Sequence, residues 1–165
     1  MKNKRYLAAT IIVSFLAVSL TFFIILQSCL NGDDSIQSSG LVVNLFKSII
    51  NAIHAETIND GNIGTFTLVI RKLVGHFGLF LFDGALVSFS IYLLSVYWKK
   101  YKHLYGLIFT LFFGLFLAGL TEFIQIFVPG RSGEVVDILI DYGGYLIGTG
   151  IIVLIAFLKE KNNKA

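Results

Sequence analysis

The stretch TEFIQIFVPGRSGEVVDILIDYGG, residues Thr121–Gly144, connects two of the most apolar runs of the chain and still carries several carboxyl, amide and guanidinium groups. Placing a carboxylate at mid-depth in a membrane costs roughly 2.5–3.5 kcal/mol. Such groups are therefore expected to face one another rather than lipid. The stretch predicts a fold of membrane-crossing helices, and it marks the place where their polar groups meet.

The composition of the whole chain agrees with a membrane protein. The chain has 165 residues, enough for one domain, and only 14% of them are charged. Its mean hydropathy is +0.81, which a soluble domain of this size could not reach without exposing apolar surface. A single cysteine excludes an intramolecular disulfide bond. No basic and aromatic pattern typical of nucleic-acid binding is present, so no nucleic-acid partner is expected.

Four apolar runs are long enough to cross a bilayer as helices, which takes about 20 residues. They cover about residues 7–26, 77–97, 104–128 and 138–158. Backbone groups in lipid have to satisfy one another, which favours helices over open strands. We therefore predict an all-α integral membrane protein, a four-transmembrane-helix bundle forming a single domain over residues 1–165.

Basic residues predict the orientation of the bundle, because they are enriched on the cytoplasmic side. Most of them lie at the N-terminus, between the second and third runs, and in the C-terminal tail: Lys2, Lys4, Arg5, Lys99, Lys100, Lys102, Lys159, Lys161 and Lys164. With four spans, these positions share one side of the membrane. Both termini are therefore expected in the cytoplasm, with Thr121–Gly144 facing outward.

The end of the first run allows a second interpretation. Residues Leu26–Cys29 read LQSC, which resembles a bacterial lipoprotein signal, and cleavage there would make Cys29 a lipidated N-terminus. The apolar run is long for a signal peptide, and Gln27 fits such a signal poorly. We therefore expect an uncleaved first span, with lipidation of Cys29 as the alternative.

The long connection between the first two spans contains a short amphipathic segment. NGDDSIQSSG, residues 31–40, is rich in turn formers and predicts a flexible stretch. Apolar residues then recur with helical periodicity over about 41–53, which is too short to span. This segment is expected to form an interfacial helix on the membrane surface. The alternative is a lid over the outer mouth of the bundle.

Polar residues recur at helical spacing near the outer end of each of the last three spans. Glu122 and Gln125 are i, i+3, Asp137 and Asp141 are i, i+4, and each pair shares one face of its helix. The set forms a predicted polar cluster: Arg71, Lys72, His76, Glu122, Gln125, Arg131, Asp137 and Asp141. Its basic members would offset the burial of its acids.

Simpler roles exist for each member of the predicted polar cluster. His76 could be a histidine at the membrane interface, Arg131 could bind lipid phosphates without specificity, and Asp137 could cap a helix. Asp83 lies seven residues beyond His76, and the sequence does not decide between a structural and a functional role for it. No cofactor or metal is predicted, since a lone histidine among carboxylates is weak support, and no catalytic residue is assigned.

Small residues predict where the helices approach one another closely. Gly144 and Gly148, and likewise Gly114 and Ala118, form pairs at i, i+4 spacing. Gly75 and Gly78, beside His76, would act in the same way.

The motifs IRKLVGHF (Ile70–Phe77), TEFIQIFVPGR (Thr121–Arg131) and DILIDYGGYLIG (Asp137–Gly148) resemble the VanZ-like family. These are small bacterial membrane proteins whose namesake is associated with resistance to the glycopeptide antibiotic teicoplanin. The family pattern usually has an acidic residue where this chain has Thr121, and often a tyrosine where it has Phe80. The resemblance implies a cell-envelope role in the bacterial cell membrane.

Three classes of function remain open from the sequence. The first is a protein that binds an envelope component or modulates glycopeptide susceptibility, with membrane lipids or a lipid-linked wall precursor as partners. The second is an intramembrane hydrolase or transferase acting on a lipid-linked or wall substrate, with His76 as acid or base. The third is a transporter, for which four spans are few. We favour the first, and the oligomeric state stays open.

Overall fold

The computed structural model describes residues 2–54, 57–98 and 103–162. All regular elements in these ranges are helical, which confirms the all-α prediction. In chain order they are α1 (Lys2–Ser28), α2 (Gly32–Ile53), α3 (Ile63–Ile70), a π-helical segment (Arg71–Gly78), α4 (Leu79–Trp98), α5 (His103–Gln125) and α6 (Val135–Asn162).

Four helices in the described ranges are long and apolar enough to cross a membrane, as predicted: Lys4–Ser28, Ile63–Trp98, Leu104–Gln125 and Val135–Lys159. Large apolar side chains such as Phe15, Phe112 and Phe157 point outward from the bundle and are exposed. Such a surface is expected where helices face acyl chains rather than water. The protein is therefore a multi-pass membrane protein.

The second span is much longer than its apolar run predicts. α3, the π-helical segment and α4 form one continuous helix of 36 residues from Ile63 to Trp98. At 1.5 Å per residue this helix is roughly 50 Å long, whereas the hydrocarbon core of a bilayer is about 30 Å thick. The helix therefore tilts strongly or extends beyond the bilayer at its α3 end.

α4 lies at the centre of the bundle and packs against α1, α5 and most extensively α6. Gly144 and Gly148 make the close approach of α6 to the π-helical segment and to α4 possible. A Cβ on Gly144 would collide with the backbone of Phe77, and one on Gly148 with the backbone of Leu81. The predicted role of these two glycines is confirmed. The prediction for Gly75 and Gly78 is wrong. Among the described residues, nothing lies within 4 Å of a Cβ built at Gly75, and one built at Gly78 would meet only the carbonyl oxygen of Leu73 in its own segment.

Two polar contacts link α1 to α4 inside the bundle. The hydroxyls of Ser14 and Ser90 are 2.5 Å apart, and the Thr21 hydroxyl donates to Asp83 Oδ1 at 2.8 Å. Asp83 is fully buried, and its Oδ2 atom has no hydrogen-bond partner within the described ranges. Asp83 thus lies deeper in the bundle than the predicted polar cluster and bonds to α1 rather than to that cluster.

α2 begins much earlier than predicted, so the prediction of a flexible stretch over 31–40 is wrong. Asn31 caps the helix, its side chain accepting a hydrogen bond from the backbone N–H of Asp34 at 2.8 Å. Asp33 and Asp34 in the first turn interact favourably with the positive end of the helix dipole. The Gly32 N–H donates to the carbonyl of Pro129 at 3.1 Å, which fixes the start of α2 against the α5–α6 turn.

The membrane position of α2 stays a prediction, and its two interpretations remain open. Leu41, Leu45 and Ile53 are exposed, as an interfacial helix requires, whereas Ser35 and Val43 are buried against the bundle, as a lid requires. The orientation of the bundle also rests on the sequence. The lysines between α4 and α5, and the last lysine of the chain, lie outside the described residues: Lys99, Lys100, Lys102 and Lys164.

Candidate functional site

The candidate site lies at the end of the bundle opposite to the start of α1 and the end of α6. It is formed where α1 and α5 end, where α2 and α6 begin, and where the π-helical segment enters the bundle. The segment RKLVGHFG contributes Arg71, Lys72 and His76. A π-helix forms i→i+5 hydrogen bonds and has a wider turn than an α-helix, and π turns are frequent at functional sites.

His76 is the centre of a group of acids from two other helices. Its Nδ1 atom is 3.0 Å from Asp141 Oδ1 and 4.0 Å from Glu122 Oε1, and its Nε2 atom is 3.9 Å from Asp137 Oδ2. The Glu122 and Asp141 side chains are 3% and 1% exposed, whereas His76 is 19% exposed. We call His76, Glu122 and Asp141 the buried triad. Its two acids are shielded from solvent, and its histidine reaches the pocket.

Lys72 is paired with acids at the rim of the site. Its Nζ atom binds Asp137 Oδ1 and lies 3.2 Å from Glu134 Oε2. The Lys72 side chain is 39% exposed and that of Glu134 is 51% exposed. Ion pairs as exposed as this one contribute about 1 kcal/mol or less. Lys72 therefore fixes Asp137 beside His76 more than it stabilises the fold.

Glu122 is held in position by two donors. Gln125 Nε2 donates to Glu122 Oε1 at 3.0 Å, and the backbone N–H of Glu134 donates to Glu122 Oε2 at 2.9 Å. Gly133 permits the second bond, because a Cβ there would collide with the carbonyl oxygen of Glu122. Each carboxylate oxygen of Glu122 thus has one fixed partner, and the side chain is oriented before any ligand arrives.

Arg71 and Arg131, which we call the arginine pair, meet at one hydroxyl group. Arg71 Nη2 and Arg131 Nη1 both donate to Ser35 Oγ at 2.8 Å. Arg131 Nε also donates to Gln125 Oε1 at 3.2 Å. Burial and the neighbouring Arg71 guanidinium lower the pKa of Arg131 from its usual value. Neither arginine has a carboxylate within ion-pair distance among the residues that the structure describes.

The structure brings all members of the predicted polar cluster into one connected network. Gln125 links Arg131 to Glu122, Glu122 lies beside His76, and Ser35 links the arginine pair. Ser35 and Glu134 also belong to the network but were absent from the predicted cluster. Lys72 and His76 contact the acids directly, whereas Arg131 attracts Glu122 and Asp137 only from beyond ion-pair distance. The arginine pair itself faces Ser35.

A pocket of about 340 Å³ opens between α1, α2 and the π-helical segment. On its polar side lie the arginine pair, three serines of α2, and His76 and Asp141 of the buried triad. Its apolar side is contributed by α1, α2, α3, α4 and the π-helical segment: Phe23, Ile24, Val42, Ile70, Val74, Leu79 and Phe80. The pocket thus joins a cationic rim to an apolar wall, as an amphiphilic ligand requires.

The buried triad offers donor atoms that can hold a metal ion. One nitrogen of His76 and one oxygen each of Glu122 and Asp141 lie within 4.8 Å of one another. The VanZ-like pattern usually has an acid at the position of Thr121, so this chain lacks a further carboxylate there. Thr121 is buried, and its hydroxyl donates to the carbonyl of Ala118 in its own helix at 2.9 Å.

Comparison with known proteins identifies the family. No curated protein and no solved structure matches the chain. A sequence model of the VanZ/LLP1 family matches residues 10–156, which include all four candidate spans in whole or large part and the whole of the network. The motifs on which the sequence resemblance rests supply the buried triad, Asp137 and the arginine pair of the site. The chain is therefore a membrane protein of the VanZ/LLP1 family.

Proposed function

We propose that the protein binds the phosphate headgroup of a lipid-linked component of the bacterial cell envelope, at a site that opens on the outer face of the cell membrane. One observation carries the proposal: two guanidinium groups from different elements converge on Ser35 Oγ beside a mainly apolar pocket.

The arginine pair is arranged as an anion site would be. Two guanidinium groups held around one hydroxyl repel each other, and no carboxylate among the described residues pairs with either. Arginine binds phosphate through several N–H donors at once, which makes it the usual residue for phosphate recognition. A phosphate oxygen taking the place of the Ser35 hydroxyl would receive donors from both Arg71 and Arg131. It would also supply the negative charge that the pair lacks.

The apolar wall of the pocket favours a membrane-embedded ligand over a free phosphate. Phe23 and Ile24 of α1 and Leu79 and Phe80 of α4 lie beside the cationic rim. The volume of about 340 Å³ is at the lower end of the range for small-molecule sites. It suits a headgroup and the first part of a hydrocarbon chain, and the rest of the chain would remain in the bilayer.

The sidedness and cellular role in this proposal rest on the sequence. Basic residues collect near both ends of the chain and in the sequence between α4 and α5, which favours cytoplasmic termini and an outward-facing pocket. The resemblance to the VanZ-like family, whose namesake is associated with teicoplanin resistance, supports a role in glycopeptide susceptibility. A protein that binds wall precursors on the outer face could alter their availability to a glycopeptide.

The binding experiment uses purified protein in nanodiscs and a fluorescent polyprenyl phosphate, with the polyprenyl alcohol as the uncharged probe. Arg71→Gln and Arg131→Gln should each weaken phosphate binding at least tenfold and leave the weak binding of the alcohol unchanged. Lys47→Gln is the matched control, since it removes a cation of α2 that does not line the pocket. Any teicoplanin tolerance conferred by the wild type should be lost in Arg71→Gln and Arg131→Gln and retained in Lys47→Gln.

Two results would refute the proposal. The first is equal binding of phosphate and alcohol by the wild type, and the second is an unchanged phosphate affinity in both arginine variants at normal membrane levels. Binding of inorganic phosphate as tightly as of the lipid would assign the arginine pair to a soluble anion instead.

An intramembrane hydrolase or transferase is the second candidate, and the buried triad favours it. His76 and Asp141 form a hydrogen-bonded acid–base pair that lines the same pocket as the arginine pair. A substrate phosphate held by Arg71 and Arg131 would place its ester bond near a group able to move a proton. Chromatography of the lipid after incubation separates the two functions, because only the enzyme yields a product.

A further inference from the structure

We infer that His76, Glu122 and Asp141 form a binding site for one divalent transition-metal ion, either Mn²⁺ or Zn²⁺. This inference goes beyond the proposed phosphate binding, because it rests on other side chains and remains open if the arginine pair binds no lipid.

The donor geometry is close to what an ion requires. Two ligands that are 2.0–2.2 Å from one metal and at right angles lie roughly 3 Å apart. His76 Nδ1 and Asp141 Oδ1 are 3.0 Å apart, and Glu122 Oε1 is 4.0 Å from the same nitrogen. The carboxylate of Glu122 would have to move by about 1 Å to complete the set. All three donors come from rigid helical elements rather than loops.

An unpartnered oxygen supports the site independently of this spacing. Asp141 is fully buried, and its Oδ2 atom has no hydrogen-bond partner in the part of the chain that the structure describes. That oxygen belongs to the carboxyl group that faces His76. Buried polar atoms without partners are rare in proteins and often mark a position for an ion or water.

The charge around the triad also calls for a cation. Glu122 and Asp141 are both almost fully buried, and His76 is the only basic side chain within 4.0 Å of either among the described residues. Lys72 forms its ion pairs with Asp137 and Glu134, and the arginine pair donates hydrogen bonds to Ser35. Two carboxylates and one imidazole therefore share a low-dielectric site, where a divalent ion would neutralise them.

Outer groups orient the ligands as they do in known metal sites. A metal-bound histidine usually points its second ring nitrogen at a carboxylate. His76 Nε2 faces Asp137 Oδ2 at 3.9 Å, and Lys72 holds Asp137 in place. Glu122 is held by Gln125 and by the backbone N–H of Glu134. One nitrogen and two carboxylate donors suit Mn²⁺ or Zn²⁺ better than Mg²⁺ or Ca²⁺, which prefer oxygen alone.

The first test measures metal retention by the full chain in detergent. After treatment with EDTA and dialysis against Mn²⁺ or Zn²⁺, the wild type should retain about one ion per chain by elemental analysis. An equal concentration of Mg²⁺ or Ca²⁺ should not displace it. Retention no greater than that of a protein-free detergent control would overturn the inference.

Asp141→Asn should weaken metal binding at least tenfold, since it removes a charged ligand while keeping the shape of the side chain. Asp83→Asn is the matched control. Asp83 is also a fully buried carboxylate with one unpartnered oxygen, but it lies outside the triad. The metal affinity of Asp83→Asn should stay within twofold of the wild type. Equal affinity in both variants, or equal loss in both, would contradict the site.

A spectroscopic measurement keeps the inference testable if Asp141→Asn does not fold. Pulsed electron paramagnetic resonance of Mn²⁺ bound to the wild type should detect coupling to a histidine nitrogen, and His76→Gln should abolish it. Stoichiometric Mn²⁺ without nitrogen coupling would overturn the assignment of His76. Arg71→Gln should keep its metal affinity within twofold of the wild type while losing the lipid phosphate, so failure of one proposal is distinguishable from failure of the other.

Discussion

At the scale of single residues, Gln125 connects the cationic and acidic halves of the site. Its amide oxygen accepts from Arg131 and its amide nitrogen donates to Glu122, and the side chain is almost fully buried. Because the Glu122 carboxylate and the Arg131 guanidinium both bond to this one amide, Gln125 fixes the distance between the arginine pair and the buried triad.

Gln125→Leu should lower the free energy of unfolding by about 1–3 kcal/mol, because it leaves a buried acceptor on Glu122 and a partly buried donor on Arg131 without their partner. Chemical unfolding in detergent micelles measures the change. Gln27→Leu serves as the control, since it removes one exposed hydrogen bond of 3.3 Å to Ser38 and should cost about 1 kcal/mol or less. Equal losses in the two variants would show that Gln125 does not bridge the halves.

Residue spacing predicted much of the site, but not all of it. The i, i+3 pair Glu122 and Gln125 and the i, i+4 pair Asp137 and Asp141 each lie on one face, so their convergence follows from helical geometry. Ser35 could not be predicted in this way. It lies 36 residues before Arg71 and 96 before Arg131, in a stretch whose turn-forming residues conceal a capped helix.

At the scale of the elements, the contact between α4 and α6 depends on backbone approach. Gly148→Ala places a methyl group against the backbone of Leu81 and Ala85, and backbone atoms cannot move aside as a flexible side chain can. Overpacking of this kind costs about 1–3 kcal/mol. A lower unfolding temperature is expected, measured by thermal denaturation in detergent.

Gly150→Ala is the matched control on the same helix. Within the described ranges nothing lies within 4 Å of a Cβ built at Gly150, so the substitution should be neutral or slightly stabilising through helix propensity. If Gly148→Ala were as stable as Gly150→Ala, the packing of α6 on α4 described above would be wrong.

The four spans could be predicted from the sequence because hydropathy over some 20 residues is a strong signal. The π-helical segment could not. RKLVGHFG is compatible with an ordinary α-helix, and the two helices differ in hydrogen-bond register rather than in composition. Over eight residues, side-chain periodicity does not separate a π turn from an α turn.

At the scale of the whole molecule, Cys29 reports the orientation of the bundle. It is the only cysteine of the chain, it is exposed, and it follows α1 at the end that carries the site. A membrane-impermeant maleimide should label the wild type in intact spheroplasts, and Cys29→Ser should remain unlabelled. Labelling only after permeabilisation would show that Cys29 faces the cytoplasm, which contradicts the proposed topology. A lipid-sized mass increase on Cys29 would instead support the lipoprotein alternative.

The wide turn of Arg71–Gly78 has a consequence for the whole second span. A π-helix is equivalent to an α-helix with an extra residue, so it resets the phase between α3 and α4. If the same eight residues formed an α-helix instead, everything before them would be rotated by roughly 100° relative to α4. Arg71 would then swing away from Ser35 although every lipid-facing side chain of α4 stayed in place. The segment thus sets the rotation of Arg71 about the axis of the second span, and the meeting of the two arginines depends on the helix type there as much as on residue type.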